Sequence, residues 1–463
     1  MADLKIFAKT VEQEVHDQLK QLMSVKVFKD AKIRIMPDTH AGKGCVIGFT
    51  ADLGDKVVPN LVGVDIGCAV YCANLGKLNL SHEQLVELDE FIHNNIPSGM
   101  SANDDKHCVG FAKLQDLKMW KHLKNVEHLY RSVGSLGGGN HYLELDKDSN
   151  DNIYLCIHTG SRNLGQQVCR YYQAMAVDDC NVKSEEVKAK TEQLIAEYKE
   201  AVRHKEIAQT VRELREKYAN IEKVPEDLCY LEGKHRDDYL HDMKICQEYA
   251  VKNREEIARR ILGFLKVDPI EVFHTVHNYI DFEDNIIRKG AIRCNKGEKV
   301  VIPLNMSSGS IIGIGKGNED WNCSGPHGAG RLMSRSKAKS SVSRDEFKHS
   351  MEGIFTTSVN ESTLDESPMA YKPAEEIIEL VKDTIDIVEV INRFITLKPL
   401  TLDKQNVVLI MPYVVNGSIV SDSEFEAIKK HEIDKFNKQF LPLEILFVIG
   451  ILFAIIFLIS YGI

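Results

Sequence analysis

Residues 30–75 contain Lys-Ile-Arg-Ile-Met-Pro at 32–37 and Lys-Val-Val-Pro-Asn-Leu-Val-Gly-Val-Asp-Ile-Gly at 56–67, with four glycines between the two runs. Short β-branched runs punctuated by Gly and Pro predict strands joined by tight turns. The same pattern returns at 270–330, with Val-Val-Ile-Pro-Leu and Ser-Ile-Ile-Gly-Ile-Gly. The segments 30–75 and 270–330 are therefore both predicted to be rich in β-strands.

Helical patterns lie between and after these strand-rich regions. Residues 184–222 are dense in Glu, Lys, Arg, Ala and Leu, which predicts one or two exposed helices. Apolar residues at helical spacing predict a second helix over 237–265, and a third is predicted over 373–394. Strand-rich halves around a helical insert favour an α+β domain, with central β-sheets and surrounding helices, over an alternating βαβ fold.

Composition limits the classes of function. The 463 residues are 43% hydrophobic, enough for one large domain or two to three average ones. The net charge of −10 excludes a global basic field for nucleic acid, so any RNA contact must come from a local patch. Eleven cysteines occur without CxxC pairs, which is typical of a reducing cytosol where thiols stay free or bind metal.

The C-terminal end has a different character, because residues 445–463 contain no charge. An apolar run of about 20 residues is long enough to cross a bilayer as a helix. We therefore predict a transmembrane tail at 440–463 after a linker at 405–439. Preceding lysines would leave the catalytic part in the cytoplasm, held on a membrane by the tail: Lys429, Lys430, Lys435 and Lys438. The alternatives are a terminal core helix or a non-native extension.

Val-Gly-Val-Asp-Ile-Gly-Cys at 62–68 places Asp65 and Cys68 three residues apart in a glycine turn. If both side chains point inward, they supply one hard and one soft ligand, a combination that suits a divalent transition metal such as Zn, Mn or Fe. The alternative is an Asp that caps a turn next to a buried structural Cys.

Ser-Leu-Gly-Gly-Gly-Asn-His-Tyr-Leu-Glu-Leu at 135–145 combines a glycine run with an alternating strand. The glycines allow backbone amides to approach an anion while Asn140 and His141 face it. Glu144 is positioned to contact a base or ribose. The alternative is a flexible turn, and the segment is not a Walker A loop because no Gly-Lys-Ser or Gly-Lys-Thr follows.

Two further segments offer histidines at strand ends. His158 precedes a Gly-Ser-Arg turn, where Ser161 or Arg162 would meet phosphate, although a lone histidine here is often structural. His274 and His277 would lie on opposite faces of a strand, so only one is expected to be a ligand. We favour His277 as that ligand.

Trp-Asn-Cys-Ser-Gly-Pro-His-Gly-Ala-Gly-Arg-Leu-Met-Ser-Arg at 321–335 holds His327 between Pro326, Gly328 and Gly330. Arg331 and Arg335 would stabilise phosphate charge. A neutral imidazole is a suitable nucleophile toward a nucleotide phosphate. The alternatives for His327 are a further metal ligand or part of an RNA-contact loop.

Six motifs in order resemble the RtcB family of RNA ligases: Asp-Thr-His-Ala-Gly-Lys-Gly at 38–44, Val-Asp-Ile-Gly-Cys, Gly-Gly-Gly-Asn-His, Ile-His-Thr-Gly-Ser-Arg, His-Asn-Tyr-Ile and His-Gly-Ala-Gly-Arg-Leu-Met-Ser-Arg. The likeness runs from near the N-terminus to Lys404. It implies one large ligase domain at 1–404 that joins RNA ending in a 2′,3′-cyclic phosphate or 3′-phosphate to RNA with a 5′-hydroxyl, in RNA repair or tRNA splicing.

The resemblance also implies roles for individual residues. His327 would attack the α-phosphate of GTP, become guanylylated and pass GMP to the RNA 3′-phosphate, forming an RNA-3′-pp-guanosine intermediate. Two Mn(II) ions would be bridged by Cys68 and completed by four further ligands: Asp65, His141, His158 and His277. Residues matching or plausibly matching nucleotide contacts are Asn140, His141, Glu144, Ser310, His327, Gly328, Gly330, Tyr371 and Lys404.

The chain departs from the family at two places. It reads Pro-Leu-Asn-Met at 303–306 where many members have Pro-Gly-Ser-Met, which puts local phosphate contacts in doubt. It also continues for 59 residues past Lys404. Two other classes of function remain open: a Mn-dependent RNA phosphodiesterase, and a non-enzymatic, membrane-tethered RNA-binding protein. A monomer is expected, and the sequence does not decide whether an activating partner such as archease is required.

Overall fold

A computed structural model describes residues 3–104, 110–200, 224–397, 414–415 and 418–419. The strands are β1 (Asp3–Ile6), β2 (Lys32–His40), β3 (Ile47–Asp52), β4 (Lys56–Val57), β5 (Ala69–Lys77), β6 (Tyr142–Lys147), β7 (Asn152–Thr159), β8 (Leu231–Glu232), β9 (Glu271–Val276), β10 (Asn278–Asp281), β11 (Ile286–Lys289), β12 (Ala291–Arg293), β13 (Lys299–Asn305), β14 (Gly309–Gly315), β15 (Ser324–Pro326), β16 (Ile385–Leu397), β17 (Val414–Val415) and β18 (Ser418–Ile419). The α-helices are α1 (Gln13–Ser24), α2 (His82–Asn95), α3 (Val126–Arg131), α4 (Arg162–Glu200), α5 (Gly233–Leu265), α6 (Arg335–Ser341), α7 (Arg344–Ser350) and α8 (Ala374–Leu380).

Two larger sheets organise the unit Met1–Thr401. A five-stranded sheet has the order β1-β2-β3-β11-β10, and a seven-stranded antiparallel sheet has the order β13-β14-β16-β6-β7-β5-β9. The edge strands of the larger sheet approach each other, since Thr275 Oγ1 in β9 accepts a hydrogen bond of 3.1 Å from Val301 N in β13. The sheet is therefore curled. In the separate unit Leu402–Ile463, β17 pairs antiparallel with β18.

Strand alternation assigns the two faces of the curled sheet. The odd-numbered positions of β5, β6 and β7, such as Tyr71, Leu143 and Ile157, pack against apolar side chains of α2 and α5. The even-numbered positions face the inside of the curl, where Cys72 and Cys156 lie directly opposite each other. Because side chains alternate with a period of two, the even positions also carry the polar residues of these strands into the interior.

The strands predicted at 270–330 and the helix predicted over 237–265 are confirmed. At 30–75 the prediction holds for β2, β3 and β5, but the run at 56–67 is a strand only at Lys56–Val57. Pro59–Leu61 form a 3₁₀ turn instead, because proline cannot donate to a strand ladder. For the helix predicted over 184–222, α4 covers 184–200, while 201–222 lie outside the described residues. The helix predicted over 373–394 is wrong beyond Leu380, because β16 begins at Ile385. Ile-Asp-Ile-Val-Glu-Val-Ile is β-branched and pairs with both β14 and β6, and this pairing outweighs local helical spacing.

The prediction of central β-sheets with helices around them agrees with this mixed α and β structure. The predicted tail at 440–463, including its hydrophobic helix, lies outside the described residues. Among the helices that the structure does describe, none combines the length and the apolar character that a membrane span requires.

Candidate active site

The loop before β5 brings Asp65 and Cys68 to the inner face of the curled sheet. Cys68 N donates to Asp65 O at 3.2 Å, so the two residues belong to one tight turn. A Cβ on Gly160 would lie 2.2 Å from Asp65 Oδ1, which requires glycine at this position after β7. Both side chains point inward, which is the condition under which they could supply ligands to one metal.

Three histidines converge on Cys68: His141 just before β6, His158 in β7 and His277 between β9 and β10. His141 Nδ1 is 2.9 Å from Leu136 O, and His158 Nδ1 is 3.0 Å from Asn140 O. Since a carbonyl only accepts, each Nδ1 carries a proton, and Nε2 is the ring atom left to bind a metal. Main-chain carbonyls therefore present both rings in the form that binds a metal.

The Nε2 atoms and the thiol lie close together. Cys68 Sγ is 3.6 Å from His141 Nε2 and 3.3 Å from His158 Nε2, while His158 Nε2 is 3.2 Å from His277 Nε2. His141 Nε2 is also 2.9 Å from Asp65 Oδ2. Two ligand groups result, one of Cys68, His158 and His277 and one of Asp65, Cys68 and His141, each with ligand atoms within 4.8 Å. Cys68 belongs to both groups.

Electrostatics favour the neutral forms of His158 and His277. Burial lowers the pKa of His158 and His277 well below 6.5, and neighbouring imidazoles lower it further. Burial alone would raise the pKa of Asp65, but the hydrogen bond and charge of His141 hold it below 3.8. Burial and the Asp65 charge raise the pKa of the Cys68 thiol well above 9.0, so metal binding must displace its proton.

The donor set fits a transition metal. Imidazole nitrogen, thiolate sulfur and carboxylate oxygen are the ligands of borderline divalent ions, and all five side chains are directed at one another. Asp65, Cys68, His141, His158 and His277 are therefore the residues that would hold metal. His274 is separated from this cluster and instead accepts from Arg254 Nε at 3.3 Å, in agreement with opposite faces for His274 and His277.

Arg254 in α5 was missed by sequence reasoning. Its side chain is fully buried, and Nη1 donates to Gly67 O at 2.8 Å and Thr159 O at 2.9 Å, which precede Cys68 and follow His158. Burial lowers the pKa of Arg254 to about 10, so the guanidinium stays charged near neutrality. Within a helical Asn-Arg-Glu-Glu stretch nothing local distinguishes it from a surface arginine.

His327 follows β15 and is held by a second residue that was not predicted. Its Nδ1 lies 2.6 Å from Oδ2 of Asp38, and its backbone N donates to the same oxygen at 3.1 Å. Asp38 is completely buried in β2, and no described residue hydrogen-bonds His327 Nε2. The imidazole is thus oriented with Nε2 available. The only signal was the position of Asp38 at the start of the Asp-Thr-His-Ala-Gly-Lys-Gly motif.

His327 lies next to the metal-competent cluster, since its ring centroid is 4.9 Å from that of His277. It also lines a cavity of about 710 Å³. Other predicted site residues lining the cavity are Asn140, Glu144, His158, Gly328, Gly330 and Tyr371. Gly330 has φ +76°, and a Cβ there would lie 2.2 Å from Asp38 O, so this turn can approach Asp38 only as glycine.

Two predicted nucleotide contacts, Ser310 and Lys404, are not among the described residues that line the cavity. Ser310 lies in β14, is fully buried and does not belong to the cavity lining; its hydroxyl instead lies beside Asp146 and opposes the rise in that residue's pKa caused by burial. Lys404 lies outside the described residues. Both remain predictions.

Glu144 is positioned by Arg393, another residue absent from the prediction. Arg393 Nη1 forms ion pairs with Glu144 and Asp146, and Nη2 donates to Asn305 O at 2.8 Å. All three residues are buried, with at most 7% of each exposed. One guanidinium therefore joins β6, β16 and the β13–β14 turn at the floor of the cavity.

The Pro-Leu-Asn-Met departure has a structural explanation. Leu304 packs into a core cluster with Ala329 and Ile377. Asn305 Oδ1 accepts from Ser307 N and Ser308 N, both at 2.9 Å, which closes the turn to β14. Asn305 thus forms a turn that glycine and serine would form by backbone freedom, and Pro303 to Met306 still line the cavity.

The arginines predicted to meet phosphate have protein partners. Arg162 is half-buried and donates to Ser135 Oγ at 3.1 Å and Gly99 O at 2.7 Å. Arg331 donates to Asp365 O at 2.6 Å and lies 3.6 Å from a Glu366 oxygen, and its guanidinium is 5.1 Å from the centroid of Tyr371. Arg335 pairs with both acids as well, Asp365 at 2.8 Å and Glu366 at 2.6 Å.

The fold and site define a mixed α and β protein with a Cys, His and Asp cluster that could hold metal, beside a cavity that carries an oriented histidine. Comparison with known proteins then gives the family. A family model described as tRNA-splicing ligase RtcB matches residues 18–402, and the chain therefore belongs to the RtcB family. The resemblance drawn from the motifs is confirmed.

Individual relatives match over most of their length. The RNA-splicing ligase RtcB of Escherichia coli (strain K12) is 27% identical over 437 residues, covering 86% of this chain and 97% of the relative. The tRNA-splicing ligase RtcB of Archaeoglobus fulgidus is 26% identical over 460 residues, covering 80% and 88%. That of Methanococcus maripaludis is 24% identical over 469 residues, covering 82% and 90%.

Proposed function

We propose that this chain is a GTP-dependent RNA ligase acting in tRNA splicing or RNA repair. It joins an RNA 2′,3′-cyclic phosphate or 3′-phosphate to a 5′-hydroxyl. The observation that carries the proposal is His327, whose Nδ1 is bound to buried Asp38 while its ring lines the cavity beside the Cys68 cluster. Family membership supplies the class of reaction.

His327 is proposed as the nucleophile. With its Nδ1 proton held by Asp38, the Nε2 lone pair attacks the α-phosphorus of GTP. A P–N bond forms as the bond from phosphorus to the bridging oxygen breaks, and pyrophosphate leaves. The Asp38 carboxylate stabilises the positive charge that develops on the imidazole, as in other acid–histidine pairs.

The later steps transfer and then release GMP. An oxygen of the RNA 3′-phosphate attacks the phosphorus of guanylylated His327, the P–N bond breaks, and RNA-3′-pp-guanosine forms. The 5′-hydroxyl of the second RNA then attacks the 3′-phosphate and expels GMP. A cyclic phosphate must first be hydrolysed to the 3′-phosphate by water.

Two Mn(II) ions are proposed as cofactors, because two ligand groups share Cys68. When bound, they would polarise phosphoryl oxygens and favour in-line attack. Within the cavity, the Glu144 carboxylate is proposed to accept N–H donors of guanine, and its ion pair with Arg393 holds it in place. Asn140, Gly328, Gly330 and Tyr371 complete the lining.

The decisive experiment is incubation of the protein with α-labelled GTP and Mn(II), followed by denaturing electrophoresis. We expect acid-labile label on the wild-type protein and none on His327→Ala. His16→Ala, which removes an exposed histidine from α1, is the matched control and should label normally. Label on His327→Ala would refute the nucleophile assignment. Unlabelled wild-type protein that still opens cyclic phosphates would favour the phosphodiesterase alternative.

A further inference from the structure

The RNA backbone beyond the reacting phosphates needs cations that are not paired within the protein. The protein carries a net charge of −10, so the substrate must be attracted by a local feature. Arg331 and Arg335 pair with Asp365 and Glu366, and half-buried Arg162 donates to Ser135 and Gly99.

Exposed cations continue along the chain from the cavity lining. Arg335 and Ser336 line the cavity and begin α6, and the next residues of α6 and α7 add Lys337, Arg344 and Lys348, all exposed. No ion pair to these three occurs within the part of the chain that the structure describes. Over residues 335–349 Lys and Arg number five against two acids, in a protein that is acidic as a whole.

The helix pair is also fixed to the cavity wall. Phe347 on α7 is fully buried in a cluster with Met306, Val342 and Leu364, and Met306 itself lines the cavity. Both helix starts are capped by a serine: Ser334 Oγ accepts from Lys337 N in α6, and Ser343 Oγ accepts from Glu346 N in α7, where the Glu346 side chain completes a capping box. The cations thus project from a firm base beside the cavity.

The other part of the cavity lining has the opposite charge. Glu12 and Glu14, at the start of α1, line the same cavity and would repel a phosphate chain. An RNA strand whose end reaches His327 is therefore favoured to leave the cavity over α6 and α7 rather than over α1.

We propose that Lys337, Arg344 and Lys348 form a docking surface for the phosphate backbone of the substrate RNA, several nucleotides from the reacting end. This inference rests on the proposed function. The contacts are to phosphates, so the surface binds RNA without reading sequence. Its contribution is to the affinity for RNA and not to the reaction of His327 with GTP.

The test compares a triple variant, Lys337→Gln with Arg344→Gln and Lys348→Gln, with a control that loses the same charge elsewhere. The control is Lys121→Gln with Lys244→Gln and Lys252→Gln, all exposed and outside the cavity lining. Binding is measured by fluorescence anisotropy against salt concentration with single strands of about 12 nucleotides. One strand carries the 3′-phosphate and the other carries the 5′-hydroxyl, so the two arms tell which strand docks.

Loss of three phosphate contacts should reduce the magnitude of the salt slope by about 2 and weaken RNA binding roughly 10- to 100-fold at 0.1 M salt. Labelling by GTP should stay within about twofold of wild type, which also shows that the variant is folded. Unchanged RNA affinity and salt slope with both strands would overturn the inference, as would an equal loss in the control.

Other outcomes are also decisive. If the triple variant instead loses binding to vesicles containing phosphatidylserine while keeping RNA affinity, the surface is a membrane contact and the inference is wrong. Wild-type protein that neither labels with GTP nor ligates would refute the proposed function itself. Normal wild-type labelling with an unaffected triple variant refutes only the docking surface. Single variants at the same positions repeat the test if the triple variant does not fold.

Discussion

Replacing Asp38 by Asn tests whether the tautomer of His327 is the basis of its reactivity. Asp38 accepts from His327 Nδ1 at 2.6 Å and from its backbone N at 3.1 Å, and no other described group hydrogen-bonds its second oxygen. A carboxylate accepts only, which fixes the proton on Nδ1. The amide of Asn is neutral: if its oxygen keeps both bonds, it no longer stabilises the positive charge that develops on the imidazole. If its nitrogen faces Nδ1, the backbone bond is lost and the proton moves to Nε2, where it blocks attack on phosphorus.

The magnitude follows from the bond that is lost. A hydrogen bond to a charged group contributes about 1.5–3 kcal/mol, equivalent to a loss of roughly 10- to 100-fold in the rate of guanylylation. Trapping the wrong tautomer adds to this, and the corresponding Asp to Asn change in serine proteases lowers kcat about 10⁴-fold. We therefore expect Asp38→Asn to label at least about tenfold more slowly than wild type.

The assay is the initial rate of protein labelling by α-labelled GTP with Mn(II), together with GTP affinity. Glu12→Gln is the matched control, because it neutralises a carboxylate of the same cavity without contacting His327. The fall should appear in the rate and not in the affinity, with thermal unfolding close to wild type because Asn is isosteric. A wild-type labelling rate in Asp38→Asn would show that this pairing does not activate His327.

Three further changes follow from the packing of the site. Gly160→Ala places a Cβ 2.2 Å from Asp65 Oδ1, so Asp65 must move, and metal affinity measured by chelator competition should fall about 10- to 100-fold. Arg393→Met leaves Glu144 and a second buried carboxylate uncompensated; unfolding in denaturant should show a loss of about 3–5 kcal/mol, with partial recovery in Arg393→Lys. Burial and the adjacent Arg254 guanidinium lower the pKa of His274 from 6.5 to about 4. Between pH 6.5 and pH 4, this histidine is therefore protonated in the unfolded chain but neutral in the folded protein. Stability should therefore fall as the pH drops from 6.5 to 4, by at most about 3 kcal/mol from this residue, and His274→Gln should lessen the fall.

Each of these predictions has a contrary result. Unchanged metal affinity in the glycine variant would mean that Asp65 is not needed as a ligand. Equal stability of the Met variant would mean that the buried acids are protonated and need no partner. Identical acid titrations of wild type and His274→Gln would assign the acid sensitivity to other histidines.

How much of the structure could be predicted depended on how local the signal was. Helix α5 and the strands of 30–75 follow from apolar periodicity, which neighbouring residues determine by themselves. The segment 385–397 was predicted partly as helix, because over a short window its apolar residues fit the helical period of 3.6 as well as the strand period of 2. Pairing with β14 and β6, far away in the chain, made it a strand.

The site divides in the same way. Ligand types could be predicted for Asp65, Cys68 and the histidines, because their chemistry and glycine surroundings are visible in short motifs. Arg254 and Arg393 could not, since a buried cation that holds carbonyls or carboxylates from distant strands has the same local sequence as a surface one. The phosphate role predicted for the arginines after His327 overlooked Asp365 and Glu366, about 30 residues further along the chain.

The sequence by itself determined the family, the metal-binding residue types and the candidate nucleophile, because these are properties of side chains and of short glycine-framed motifs. Only the tertiary structure decided that Cys68 belongs to two ligand groups and that Asp38 orients His327. The physical reason is that each of these relations is a distance between residues remote in sequence. These residues come close together only because the curled sheet directs its even-numbered side chains, and the loops next to its strands, toward the same interior space.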